Sequence, residues 1–434
     1  MKPLVRTGKT VLLVALVVLS IVLSYFLWSG NLKEGSEIGI VQDSPMPTET
    51  TPDVAHAVRP YRIVVQAAGG TTIANPDSSA YTNWLSALAT AHALDRTTIH
   101  QLPQNVDFQV TLQFGTKVNH TLAGKWLNPF SSTIGKWSGR SIILYKPKDD
   151  TNCRVAFPVD NGMMTVKTDL PATTLWKQAD KQVSAAPYDV LDGTSGPSYI
   201  PRALSMSEFI YSVRQPDTLP LVHTFFVNPQ AITRIQQDQN TSLWTDGSRA
   251  VLWDKQTMDL QYEDPNGTQV PLHDDALLSG IDFIHSHGGG PQSVIAFDQL
   301  GSLTVNPNAP SYVLTQYVDG FPILSNTANY NINMENGRVL EYDRPMWVLE
   351  QPVAQSAVHV LDRGQLLNKL KSLDPADTPT NLRITLGYAL VTNQSLSAQN
   401  EVQLQPVYYV TSGSGAGWMV DAQSGSLVLG SDPS

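Results

Sequence analysis

Residues 10–28, TVLLVALVVLSIVLSYFLW, are apolar almost throughout and carry no charge. A helix of about 19 residues, rising 1.5 Å each, covers close to 30 Å, the thickness of a bilayer's hydrocarbon core, so the stretch predicts one transmembrane helix. From residue 29 to 58 the pattern gives way to Pro, Thr and acidic residues (SPMPTETTPD), as in a flexible stalk. Beyond it a period of two takes over. Residues 61–66, 107–114, 141–145 and 154–159 read as strands with one wet face. Between the first two, Asn75-Pro76-Asp77-Ser78 is placed to cap a helix over 79–94, with Tyr81, Leu85, Leu88 and a core-edge His92 on one side.

Further along, 221–235 reads as a helix interrupted at Pro229, and Asp246-Gly247 as a hairpin turn, because Gly accepts the positive φ a two-residue turn needs. A strand over 254–262 and a turn at 263–267 (EDPNG) repeat the theme. A helix over 272–283 leads into His285-Ser286-His287 and three glycines. The last block predicts strands at 312–318, 329–334 and 338–349, turning at Gly320-Phe321-Pro322-Ile323 and Asn336-Gly337. A helix over 361–373 and strands at 382–391, 401–410, 418–421 and 426–429 follow. Pro406 lacks the N–H of a ladder position and predicts an edge or a bulge. Strands in runs with few helices make the body α+β, antiparallel sheets with helices packed on them. Polar joints at 119–139 and 191–201 divide it, giving a cytoplasmic tail 1–9, transmembrane helix 10–28, stalk 29–58, and ectodomain units 59–195, 196–305 and 306–434.

Charge sets the orientation. Lys2, Arg6 and Lys9 precede the apolar run, whereas Glu34, Glu37 and Asp43 follow it, so the N-terminus is expected in the cytoplasm and the body outside the cell membrane. The run is longer than a signal peptide's core and ends on Tyr25, Phe26, Leu27 and Trp28 without a small-residue cleavage site, which argues for an uncleaved anchor. Tyr25 and Trp28 suit the outer headgroup interface. Ser20 and Ser24 share a helix face with Leu13, Leu16 and Val17, a small-xxx-small spacing that admits a partner helix.

The chain holds 28 Lys and Arg against 38 Asp and Glu, a formal net charge of −10; setting aside Lys2, Arg6 and Lys9 leaves the remainder about 13 units negative. That balance disfavours nucleic acid as a partner. The single cysteine, Cys153, rules out an internal disulfide framework, which for an exported chain of this size fits a bacterial origin.

Candidate chemistry is sparse. His285 and His287 with Asp274, Asp275 and Asp282 nearby hold the residue types of a metal site, the basis of an alternative reading as a metal-dependent cell-wall hydrolase. The spacing matches no closed ligand set, and a Gly-rich turn after a strand accounts for it without a metal or cofactor. No nucleophile elbow, H-E-x-x-H or Cys/His pair is present, so no catalytic residue is assigned. A plain cell-wall or ligand-binding module is the other alternative.

Several segments carry a family resemblance: Trp244-Thr245-Asp246-Gly247-Ser248-Arg249, Asp264-Pro265, Phe283-Ile284 before His287-Gly288-Gly289, Gly320-Phe321-Pro322-Ile323, and Tyr342-Asp343-Arg344-Pro345. Leu386-Gly387-Tyr388, Gln405-Pro406-Val407-Tyr408-Tyr409 and Asp421-Ala422 close the series. In this order they resemble the YycH family, membrane-anchored extracytoplasmic regulators of the WalK/WalR (YycG/YycF) two-component system in low-GC Gram-positive bacteria. The resemblance implies a non-enzymatic adaptor of three α+β domains, the last two built like those of YycI. Its transmembrane helix would contact those of YycI and the sensor kinase WalK and so tune cell-wall metabolism. One departure stands out: the family pattern places an aromatic after His-Gly-Gly, where this chain has Gly290.

Overall fold

The structure, a computed structural model, describes residues 54–428 apart from 125–126, 128–129, 149, 194–195, 271–274, 292, 299–309, 374–381, 393–395, 397–398 and 413–416. The expected tail, transmembrane helix and most of the stalk lie outside the described residues. Among those described, no helix is long and apolar enough to cross a membrane.

Nine strands make the first sheet: β1 (Arg62–Ala67), β2 (Gly70–Ala74), β3 (Ala93–Ile99), β4 (Val106–Asn119), β5 (Ser138–Pro147), β6 (Arg154–Val159), β7 (Gly162–Thr168), β8 (Tyr188–Leu191) and β9 (Ser198–Pro201). They lie in the order β3-β7-β6-β5-β4-β1-β2-β8-β9, and each neighbouring pair is antiparallel. Along β4 every second side chain from Phe108 to Val118 is buried, the alternation that gives a strand one apolar face. Helices α1 (Ser79–Thr90) and α2 (Ala172–Ala185) bring further apolar side chains to this core. Ser78 caps α1 by accepting from the Tyr81 N–H, and the buried Trp84 indole donates to Gln182 at 2.8 Å, joining the two helices. The helix expected over 79–94 stops at Thr90 because the chain turns extended at Ala91 to enter β3. His92 is therefore on the surface, against Asp169 at 3.0 Å, rather than at the core edge.

The second half opens with β10 (Ser205–Arg214), α3 (Thr218–Thr224), β11 (Thr233–Gln236), β12 (Thr241–Thr245), β13 (Ala250–Asp254), β14 (Asp259–Gln269), α4 (Ala276–Ser286) and β15 (Val294–Asp298). Next come β16 (Ser311–Val318), β17 (Phe321–Pro322), β18 (Tyr330–Glu335), β19 (Arg338–Pro345), β20 (Val348–His359), α5 (Arg363–Leu373), β21 (Arg383–Val391), β22 (Glu401–Thr411) and β23 (Gly417–Asp421). The central sheet runs β11-β12-β13-β14-β19-β18-β16-β15, with β17 beside β16. The C-terminal sheet runs β20-β10-β22-β21, with β23 also on β22. Because β10 and β20 pair directly, the whole central sheet is inserted between two neighbouring strands of the other. β15 and β16, on either side of the expected division between residues 305 and 306, pair with each other.

Several local expectations change. The interrupted helix over 221–235 resolves into α3, a 3-10 turn at Pro229–Ala231 and the strand β11. The EDPNG turn is instead a bulge inside β14, where the pairing with β19 skips from Glu263 to Thr268. The strand expected over 338–349 is divided between β19 and β20, which belong to different sheets. Of the strand expected over 426–429, residues 426–428 are described, and they hydrogen-bond to β23 through an isolated bridge, Val420 to Leu427. Pro406 sits in an interior strand, yet at the place where the partner of β22 changes: residues 401–404 pair with β10 and 407–411 with β23. Its missing N–H thus falls between two partners, while its carbonyl accepts from Ala422 at 2.9 Å.

A continuous apolar core runs through the first and central sheets. At their contact Gly115 has no room for a Cβ against Ala296 and Phe297, and Arg140 pairs with Asp298. Asn119 donates to Asp275 at 2.9 Å, and the Tyr61 and Phe297 rings lie 5.4 Å apart. A second core under the C-terminal sheet takes Leu366 and Leu370 from α5, together with Ile323 and Trp347.

Candidate functional site

The expected partner-contact residues Leu13, Leu16, Val17, Ser20 and Ser24, and the interface residues Tyr25 and Trp28, lie outside the described residues. The histidine-glycine segment is described. It follows a helix rather than a strand, since its apolar positions Leu277, Ile281 and Ile284 keep the helical period up to Ser286. His285 is in the last turn of α4 and His287 at its C-terminal cap, while Asp275 caps the opposite end by accepting from the Leu277 N–H. Asp274 lies outside the described residues. Among those described, no group of three or more His, Cys, Asp or Glu side chains is arranged to hold a metal ion.

His287 is instead a packing element. Its ring stacks on Phe283 at 3.9 Å and Phe225 at 4.7 Å, and its Nδ1 lies 2.7 Å from the Phe283 carbonyl. Burial pushes its pKa down to about 4, so the ring is neutral at pH 7 and Nδ1 is the donor. Gly288, at φ +93, turns the chain where a Cβ would collide with Leu221 and with Arg344 Nη1. That space belongs to the fully buried Arg344 of β19, whose Nη1 donates to the carbonyls of His287 at 3.1 Å and Gly289 at 3.2 Å. Its guanidinium also lies over the Tyr330 ring at 5.5 Å.

Other segments singled out in the sequence converge on the same core. Phe225 stacks on Tyr262 at 4.9 Å, and Arg249, just after the Asp246-Gly247 turn, donates to Asp264 at 3.2 Å. Asp264 also accepts from Thr268 at 2.9 Å and from the Asn266 N–H at 3.0 Å, bonds that hold the β14 bulge closed from inside. Arg249 reaches the Phe225 carbonyl as well, at 3.4 Å. Sequence reasoning missed Arg344 as the keystone of this network. Its available signal was a lone basic residue on the buried face of a strand, between Tyr342 and Met346.

A second convergence joins all three parts. Gly320, at φ +78, passes so close to Pro76 of the first part that a Cβ there would collide with the Pro76 carbonyl. Phe321 and Pro322 pair with β16, and Ile323 then bridges in parallel to Tyr388 of β21. Leu324 donates to the Tyr388 carbonyl at 2.8 Å, and a Cβ on Gly387 would lie only 2.5 Å from the Pro322 oxygen. The two glycines are needed because backbone meets backbone at both contacts.

On the far face of the central sheet, Asp343 on β19 is opposite Gln261 on β14 and Asn331 on β18, and Glu263 is opposite Glu341. Burial, and then the neighbouring Asp259, Glu341 and Glu263, push the Asp343 carboxyl up to about 7. Burial likewise raises Asp259 to about 6.

These arrangements describe an antiparallel α+β body whose singled-out segments build packing and joints. Two family models match it: the N-terminal domain of the YycH protein over residues 6–120 and its C-terminal domain over residues 198–414. The chain belongs to the YycH family. Among solved structures, the crystal structure of YycH from Bacillus subtilis is similar, with a TM-score of 0.64 over 85% of this chain and 97% of that one, at 14% sequence identity. At that identity the likeness is one of fold. No curated protein matches the chain significantly.

Proposed function

We propose that the chain is a membrane-anchored, non-enzymatic regulator of the sensor histidine kinase WalK, acting with YycI in the control of cell-wall metabolism. Family membership carries this reading, and the matched N-terminal model includes the apolar stretch at residues 10–28. The use of the described segments around His287, Arg344 and Gly320 for packing supports it further.

On this reading the anchor crosses the cell membrane once, with its N-terminus in the cytoplasm and the body outside. The Leu13, Leu16, Val17, Ser20 and Ser24 face meets the kinase helix. Helices in lipid gain little from hydrophobicity against one another, so contact rests on close packing and on hydrogen bonds worth roughly 0.6 kcal/mol each. Such energies suit a regulator, because a bias of about 1.4 kcal/mol changes a two-state ratio tenfold.

The test is cysteine crosslinking in native membranes, with single cysteines along residues 10–28. The kinase helix should crosslink at positions on the Ser20 and Ser24 face, and replacing both serines with Ile should weaken that product and kinase co-purification. Unchanged association and signalling in the double variant would refute this contact.

A further inference from the structure

From β11 to β19 the central sheet has one face toward the core and one toward solvent. Ile235 pairs with Leu243, Leu243 with Leu252, Leu252 with Gln261 and Gln261 with Asp343, so these five stand in one row across the strands. The rows on either side run through Ala250, Glu263 and Glu341, and through Asp254 and Asp259. None of these side chains is buried, whereas their chain neighbours Trp244, Val251, Leu260, Tyr262 and Tyr342 are, on the opposite face. That inner face already has its helix: Gly280 of α4 lies against Ile332 and Met334 of β18.

Two properties meet on the outer face. Its half nearest the free edge at β11 is apolar: Ile235 is 45% exposed, and Leu243 and Leu252 are half-buried. With strands about 4.8 Å apart this strip is about 10 Å wide, close to the diameter of a helix with its side chains. Its other half is acidic. Asp254 is directly opposite Asp259, and Glu263 directly opposite Glu341, an arrangement of like charges that weakens a sheet. Asp343 adds a fifth carboxylate, and the three rows hold no lysine or arginine. Among the described residues none of the five forms an ion pair. The sheet thus carries opposed charges whose counter-charge the chain itself does not supply.

We propose that this face docks a basic amphipathic helix of a partner protein. The helix lays its apolar side chains over Ile235, Leu243 and Leu252, at the i, i+3, i+4 and i+7 spacing by which helices pack on such strips. Lysines or arginines along its flank then meet Glu263, Glu341 and their neighbours, which gives the contact its orientation and its choice of partner. Charge excludes the other occupants. A second copy of the same face would set carboxylates against carboxylates, and an anionic lipid surface would be repelled in the same way. The proposal concerns the body alone and does not rest on the kinase reading.

The test is surface plasmon resonance on the full chain in nanodiscs of zwitterionic lipid, with empty discs subtracted. The probe is a synthetic helical peptide with leucines on one face and lysines on the other; a scrambled peptide of the same composition and a glutamate-for-lysine peptide are the controls. The lysine peptide should bind at least tenfold more tightly than either control. Glu263→Gln combined with Glu341→Gln should weaken it at least fivefold without lowering the melting temperature, and Ile235→Ser should do the same through the apolar half. Removing two exposed carboxylates elsewhere, with Asp160→Asn and Asp217→Asn, should change binding less than twofold. No binding of the lysine peptide, equal binding of the scrambled one, or a loss in the Asp160 and Asp217 variant as large as in the Glu263 and Glu341 variant would each overturn the proposal.

Discussion

Replacing Asp343 with Asn should stabilise the chain, and the gain should grow as pH rises from 5 to 8. In the unfolded chain the carboxyl titrates near its ordinary 3.8, whereas in the fold it titrates near 7. Between those values the native state holds a proton that the unfolded state has released, so stability falls as pH rises, and the penalty is complete above pH 7. At 1.36 kcal/mol per pH unit the difference corresponds to about 4 kcal/mol. Solvent reaches the edge of this face and the neighbouring carboxylates titrate with it, which reduces the figure to about 2 kcal/mol at pH 8 and under half of that at pH 5. The asparagine keeps the shape and the contact with Asn331 while removing a charge from beside Asp259, Glu341 and Glu263. Urea unfolding of both forms at pH 5, 6, 7 and 8 is the assay. The wild type should lose stability steadily across the series, and the variant should keep only the shallower slope that Asp259, titrating near 6, supplies. Parallel profiles for the two forms would refute the assignment of the strained charge to Asp343.

Arg344→Met should cost about 2–4 kcal/mol, because it fills the space but leaves the His287 and Gly289 carbonyls buried without their donor; a loss below 0.5 kcal/mol in the same unfolding assay would contradict the keystone role. Cys153 is fully buried and burial pushes its thiol up to about 12, so a thiol reagent at pH 8 should label it only in denaturant, and rapid labelling of the native chain would show the core of the first sheet to be open.

Much of the fold was legible where local chemistry decides it. The apolar run Arg154–Val159 is a strand with the bounds its pattern gives, Ser78 caps its helix, and Asp246-Gly247 and Asn336-Gly337 each turn a hairpin. EDPNG has the composition of a turn, and it failed as one because the Asp264 side chain satisfies the freed backbone and lets the strand continue past the bulge. His-Gly-Gly was readable as a turn and the helix before it from its apolar period, but that helix runs on to Ser286, so the two histidines close a helix and do not share a strand face. The pairing of β10 with β20 left no local trace at all.

The insertion of the central sheet between β10 and β20 also sets a timetable. Glu208 and Ser356, neighbours in the folded C-terminal sheet, are 148 residues apart along the chain. At a synthesis rate of about 5–20 residues per second, β10 waits on the order of ten seconds for its partners to emerge. Throughout that interval it presents unpaired N–H and C=O groups and the apolar side chains of Met206 and Phe209, while the central sheet folds beside it. Completing the C-terminal sheet is therefore the closing of a ring: the last fifth of the chain must find a strand made long before it.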